Sequence, residues 1–234
     1  MMAELYLVPS MMGGSDWQQV LPAAVGRVLS DTRYFIVENI RTARRFMKLV
    51  NPEIDIDRLT FFELNKHTDA TVVPGYLQPL EEGFPVAVIS EAGCPGVADP
   101  GAEVVKIAHQ KNIRVVPLTG PSSVILALMA SGFNGQQFAF RGYLPVHSGE
   151  RSREILNLES MVKKTGQTQI FIETPYRNDA LVKDLLKTCS ANTLICIAVN
   201  LTTDDEYIAT KTAGQWKKCV PQLHKKPAVF LLGR

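Results

Sequence analysis

The stretch P-V-A-V-I-S-E-A-G-C-P-G-V-A-D-P-G, residues 85–101, decides the fold. Val86 to Ile89 is a short apolar run, mostly β-branched, as in a strand buried on both faces. Behind it, Gly93, Gly96 and Gly101 permit positive φ and close approach, while Pro95 and Pro100 stiffen the path. Glu91 and Asp99 place two carboxylates in the same loop. A helical pattern (Val104, Val105, Ile107, Ala108) begins after Gly101, so the loop sits at the carboxyl end of a parallel strand. That is where open α/β sheets bind ligands. A plain structural crossover would also use turn residues. Three glycines, two prolines and two acids directly behind a core strand favour a site.

Working outward, the same grammar recurs. Leu5 to Val8 reads as a strand that runs into Pro9, Ser10 and a loop, Met11 to Asp16, containing Gly13-Gly14-Ser15; a helix is expected over about 17–30. Tyr34 to Val37 is a second buried strand. The helix after it carries Ala43, Phe46, Met47 and Val50 on one face and Arg41, Arg44, Arg45 and Lys48 on the other. A strand over 59–64, a proline-interrupted helix over about 71–82 and a strand over 114–118 complete a first α/β domain, 1–118, with a mostly parallel sheet. Thr119 to Ser123 opens the next helix, and Val124 to Ala130 is apolar all round, which predicts burial on every side. The second domain, 119–234, is expected to hold a mixed sheet. Its strands are read at 138–142, 168–172, 193–199 and 228–232, with helices over 153–164, 179–188 and near 212–218.

Composition excludes several classes. Of 234 residues, 46% are hydrophobic and 21% charged, an ordinary globular balance. No apolar run reaches the roughly 20 residues a membrane helix needs, and the first residues lack the basic and apolar regions of an export signal. Cys94, Cys189, Cys196 and Cys219 form no C-x-x-C pair and the four histidines are scattered, so neither a metal site nor a disulfide framework is expected. A reducing cytoplasm is the expected compartment. A net charge of +2 permits an RNA partner without arguing for one.

Five pieces of the chain carry a family likeness: L-Y-L-V-P (5–9), V-I-S-E-A-G-C-P-G-V-A-D-P-G (88–101), I-R-V-V-P-L-T-G-P-S-S (113–123), G-Y-L-P (142–145) and F-I-E-T-P-Y-R (171–177). In this order and spacing the chain resembles the tetrapyrrole methylase superfamily of S-adenosylmethionine-dependent methyltransferases. Within it, the likeness is to the ribosomal RNA small subunit methyltransferase I family. The resemblance implies two α/β domains with S-adenosylmethionine folded into the cleft between them, in a homodimer. Carried over residue by residue, cofactor contacts fall on Pro9, Ala92, Gly93, Cys94, Val97, Ser122 and Ser123. A sulfonium nucleoside needs a shaped pocket with backbone donors and acceptors rather than a metal, which glycine-rich strand ends and a helix N-terminus supply.

The expected reaction is methylation of a ribose 2′-hydroxyl in small-subunit ribosomal RNA. An in-line displacement asks the protein for alignment and desolvation, and for a proton acceptor near the attacking oxygen. Glu38, Glu91, Asp99 and Glu173 are the candidates for that acceptor, and Arg41 and Arg177 for holding RNA phosphates. Each has a structural alternative: Glu173 with Arg177 as a loop-ordering ion pair, Asp99 as a cap for the following helix. Three stretches depart from the family pattern. P-S-M-M-G-G-S (9–15) replaces P-T-P-I-G-N-L, V-E-N-I-R (37–41) replaces A-E-D-T-R, and A-V-N-L-T-T (198–203) replaces A-R-E-L-T-K. The charges missing at 199, 200 and 203 keep alive the reading of a cofactor-binding protein that has lost catalysis. The same fold leaves methylation of a tetrapyrrole or other small molecule as an alternative, against which Gly93-Cys94-Pro95 stands in place of the G-D-P typical of those enzymes.

Overall fold

The computed structural model describes residues 3–14 and 16–234; Ser15 of the first loop lies outside them. The chain divides into two compact units, Met1–Ser122 and Ser123–Arg234.

In the first unit five strands, β1 (Glu4–Val8), β2 (Tyr34–Val37), β3 (Thr60–Glu63), β4 (Val86–Ile89) and β5 (Arg114–Pro117), form one sheet in the order β3-β2-β4-β1-β5. All four pairings are parallel, so both faces must be covered by crossover helices. The period of two does the sorting. Ala87 and Ile89 of β4 join Val8, Phe35 and Val37 under α1 (Ala23–Asp31) and α2 (Ile40–Val50). Val86 and Val88 join Leu5 and Ile36 on the opposite face under α4 (Gly101–Gln110). Two expected helices are shorter than the periodicity suggests. Pro22 splits the first into a 3-10 turn, Trp17–Gln19, and α1. Pro74 and Pro79 break the other into a 3-10 helix, Val73–Leu77, and α3 (Gln78–Glu81).

The second unit holds α5 (Ser123–Ser131), β6 (Phe138–Tyr143), α6 (Ser148–Thr165), β7 (Thr168–Ile172), α7 (Asn178–Thr188), β8 (Leu194–Val199), β9 (Tyr207–Thr212), α8 (Ala213–Trp216) and β10 (Ala228–Gly233). Its sheet runs β6-β7-β10-β8-β9, with β6 and β7 parallel and the rest antiparallel. The expected fold class, a parallel sheet followed by a mixed one, is what the structure has. Trp216, Phe171 and Phe230 are buried at its centre with Ile155 and Leu158.

Three expectations for this unit need correction. The polar run Ser148 to Ser152 is helical rather than loop, because α6 turns Arg151 inward, where its Nη2 lies 2.6 Å from Asp184 Oδ2. The Ser148 hydroxyl donates to the same carboxylate at 2.9 Å. A buried ion pair of this kind is invisible to a hydrophobic pattern. Strand β9, not expected, is an edge strand of mixed polarity that folds back on β8 through a turn in which Asn200 and Thr202 take φ of 50° and 68°. Last, α5 is not buried on every side: Val124, Ala127 and Leu128 pack inward, while Met129 is 74% exposed.

Candidate functional site

The strand order of the first unit sends the chain from β1 across to β2 and β3, then back through β4 to β5 on the other side. The carboxyl ends of β1 and β4 therefore flank a topological switch point. Ser10 and Gly93 exchange two backbone hydrogen bonds there, at 3.0 and 3.2 Å, outside either strand. Gly93 has φ of +79°, and a Cβ on it would lie 3.1 Å from the Pro121 carbonyl oxygen. The Cys94 thiol, pushed up in pKa by burial, stays protonated and donates toward the Gly120 and Pro121 carbonyls at 3.6 and 3.3 Å. A Cβ on Gly120 would stand 2.2 Å from Pro9 Cβ, so only glycine lets the ends of β1 and β5 close together.

Pro9, Gly93 and Cys94, with Gly120 and Pro121, thus belong to one wall built from three strand ends, and Ala92 and Ser122 are their neighbours in sequence. Val97 lies further along the same loop and is 50% exposed, and Ser123 is the first residue of α5. Buried Ser10 contributes a hydroxyl with no hydrogen-bond partner among the described residues. The donor set is backbone amide, carbonyl, thiol and hydroxyl beside apolar side chains. That chemistry fits a nucleoside carrying a sulfonium, and Pro9, Ala92 to Cys94, Val97 and Ser122 are the residues of this unit that would hold one. Two small cavities, about 30 Å3 beside Ser10, Thr42 and Glu91 and about 10 Å3 beside Glu38, Asp99 and Gly101, are too small for such a group. Among the described residues no cluster of histidines, cysteines and acids could hold a metal ion. Among the described residues no helix is long and apolar enough to cross a membrane.

Three of the four candidate acids meet beside this wall. Asp99 Oδ1 accepts the Gly96 and Gly101 N–H groups at 3.0 and 2.7 Å, which holds the loop and serves the first amide of α4. Glu91 accepts from the Thr42 hydroxyl of α2. Glu38, at the end of β2, has its carboxyl pushed up to about 7, first by burial, then by its hydrogen bond to the Asp99 carboxylate and the charges of Asp99 and Glu91; the Glu91 N–H opposes the shift. Arg41 is exposed in the first turn of α2. Asn39 caps that helix, accepting the Arg41 and Thr42 N–H groups at 2.9 and 3.2 Å, so the departure from aspartate here leaves the cap intact.

The fourth acid, Glu173, belongs to the second unit. Its Oε1 accepts from Arg177 Nη2 at 2.6 Å and Nε at 2.9 Å, and from the Thr174 N–H at 2.6 Å. This pair orders the loop after β7. The sequence reading passed over Ser10, Thr42 and Asn39. The cap was legible in Asn39 standing directly before a helical pattern; the other two depend on tertiary contacts.

Comparison with known proteins gives this arrangement its family. The family model described as tetrapyrrole (corrin/porphyrin) methylases matches residues 22–216. The ribosomal RNA small subunit methyltransferase I of Vibrio cholerae serotype O1 is 32% identical over 206 residues, 87% of this chain and 67% of the relative. The protein of the same name from Buchnera aphidicola subsp. Schizaphis graminum is 29% identical over 231 residues, 97% and 77% of the two chains. Among solved structures, the methyltransferase CobJ superposes with a TM-score of 0.66 at 16% identity, covering 99% of this chain and 94% of that one. Uroporphyrin-III C-methyltransferase from Thermus thermophilus, complexed with S-adenosylhomocysteine, gives 0.61 at 16% identity over 99% and 98%. These two likenesses speak for the fold. The matched length and the Vibrio relative settle membership: the chain belongs to the tetrapyrrole (corrin/porphyrin) methylase family, a family of S-adenosylmethionine-dependent methyltransferases.

Proposed function

We propose that this methyltransferase acts on small-subunit ribosomal RNA, methylating a ribose 2′-hydroxyl. The relatives named above support the acceptor class, and one observation in this chain carries it. Helix α2, which starts beside the wall, bears Arg41, Arg44, Arg45 and Lys48 and no acid, a charge twice the net +2 of the whole chain. None of the four forms an ion pair with a carboxylate among the described residues. Arg41 also sits at the positive end of the helix dipole, where a cation is disfavoured. Lys48 donates to the Pro52 carbonyl in the last turn and Arg44 lies over the Phe61 ring, so Arg41 and Arg45 are the two cations with no such local role, and they suit a polyanion.

S-adenosylmethionine, when bound, supplies the methyl group and its own leaving group. The chain's residues supply the rest. The wall of Pro9, Ala92 to Cys94 and Ser122 fixes position, and Arg41 holds phosphate by paired N–H donors. Glu38, partly ionised near neutral pH, accepts the hydroxyl proton at its carboxylate. Asp99 and Glu91, both engaged by neighbours, act as framing groups, and so does Glu173 with Arg177 in the second unit.

The test compares ribosomal RNA from cells with and without the gene, digested to nucleosides and analysed by mass spectrometry. Loss of one 2′-O-methylated nucleoside from the small subunit, restored by the wild-type gene, is the expected result. Unchanged ribose methylation would sink the RNA reading.

A further inference from the structure

In the second unit, the loop after β7 and the loop before β10 are stitched to each other. Buried Glu173 draws the Arg177 guanidinium in, and the Arg177 N–H donates to the Thr174 carbonyl at 2.9 Å. From the other loop, the Lys225 N–H donates to the Pro175 carbonyl at 3.1 Å. Fully buried Asn178 donates through Nδ2 to the Lys226 carbonyl at 2.7 Å. Lys225 takes a φ of 61°, a left-handed backbone that side chains with a Cβ resist.

This frame holds Tyr176 outward. The ring is 71% exposed, more than any other aromatic side chain among the described residues. His224 meets it edge-on, with centroids 6.0 Å apart and planes at 82°. Lys225 Nζ stands 6.0 Å from the centroid over one face. The Arg177 charge close by is paired with Glu173, and Asp179 lies 3.9 Å from His224. An exposed aromatic on a backbone-fastened loop, with a lysine ammonium over one face and an imidazole at its edge, has the chemistry that stacks an unpaired nucleobase and meets its phosphate.

We propose that Tyr176 is a stacking platform for an unpaired base of the RNA strand, with Lys225 and His224 contacting the adjacent phosphate. The inference rests on the ribosomal RNA reading above and adds a base-binding site to it.

The experiment titrates full-length wild type, Tyr176→Ala and Tyr176→Phe with a fluorescein-labelled single-stranded RNA oligonucleotide, read by anisotropy. Calorimetry with S-adenosylmethionine serves as a control for folding. The expected result is a roughly ten-fold loss of RNA affinity in the alanine variant, near wild-type affinity in the phenylalanine variant, and unchanged cofactor affinity in both. In Tyr176→Trp, indole emission should be quenched as the oligonucleotide binds. Equal binding by Tyr176→Ala and wild type overturns the proposal, as does equal loss in the alanine and phenylalanine variants, which would assign the effect to the hydroxyl. Methylation of small-subunit RNA by wild type and Tyr176→Ala, run alongside, separates the two failures. Methylation without an alanine defect removes the platform alone, whereas no methylation by wild type removes the acceptor reading and the platform with it.

Discussion

Glu38 is held against two neighbours of like charge, and this sets how the first unit responds to pH. Its carboxyl titrates near 7 in the native state, against the usual range for glutamate of about 4.3 in an unfolded chain. Between those values the native form keeps a proton that the unfolded form has released. Stability from this group is therefore complete at low pH and falls as pH rises toward and through 7. The full shift would correspond to about 3 kcal/mol, which solvent at the partly exposed carboxyl reduces to about 1–2 kcal/mol. Urea midpoints measured at pH 5 and pH 8 should differ in wild type, and the difference should shrink in Glu38→Gln. If the variant keeps the whole difference, Glu38 is not its source. The same substitution should flatten the acid limb of the pH–rate profile if Glu38 receives the hydroxyl proton.

At the scale of elements, α2 offers the clearest prediction. Reversing Arg41 and Arg45 together to glutamate should weaken RNA binding strongly. Removing two phosphate contacts should lower the slope of log K against log salt by about 1.4 for single-stranded RNA. Cofactor affinity should stay as it is. An unchanged slope would show that this face meets solvent only. The strip was readable from the chain because a period of 3.6 separates Ala43, Met47 and Val50 from the four cations. The same logic placed β2 and β4 to the residue, since each is a short apolar run whose ends fall at Glu38 and Ser90. It failed where polar residues make the decisive contacts. Arg151 with Asp184 starts α6 early, and β9 is fixed by pairing with β8 rather than by its own alternation. At the site, residue types and loop positions were legible. The Ser10–Gly93 bridge, the Thr42 hydroxyl on Glu91 and the raised carboxyl of Glu38 were not, because each joins segments distant in sequence.

For the whole molecule, two units mean two reporters, since the chain has two tryptophans and each unit holds one. Trp216 is fully buried in the second core, with its indole N–H donated to the Ile195 carbonyl at 2.9 Å. In a Trp17→Phe background its fluorescence follows the second unit. Asp184→Ala, which strands Arg151 with a buried charge, should destabilise that unit by about 3–5 kcal/mol on this signal. A shift below about 1 kcal/mol would mean that water reaches the guanidinium as soon as its partner goes.

The parallel sheet has one more consequence, in the order of events during synthesis. Strand β1 lies between β4 and β5, and its Leu5 pairs with Val86 and with Val115. A ribosome adding roughly 5–20 residues per second makes the nascent β1 wait some seconds before either neighbour exists. Through that interval Leu5 and Val8, destined for the interior, have no native sheet partner, and the strand's backbone is open to other chains. The arrangement that gathers the strand ends to one edge also leaves β1 a natural client for chaperones until β4 and β5 are made.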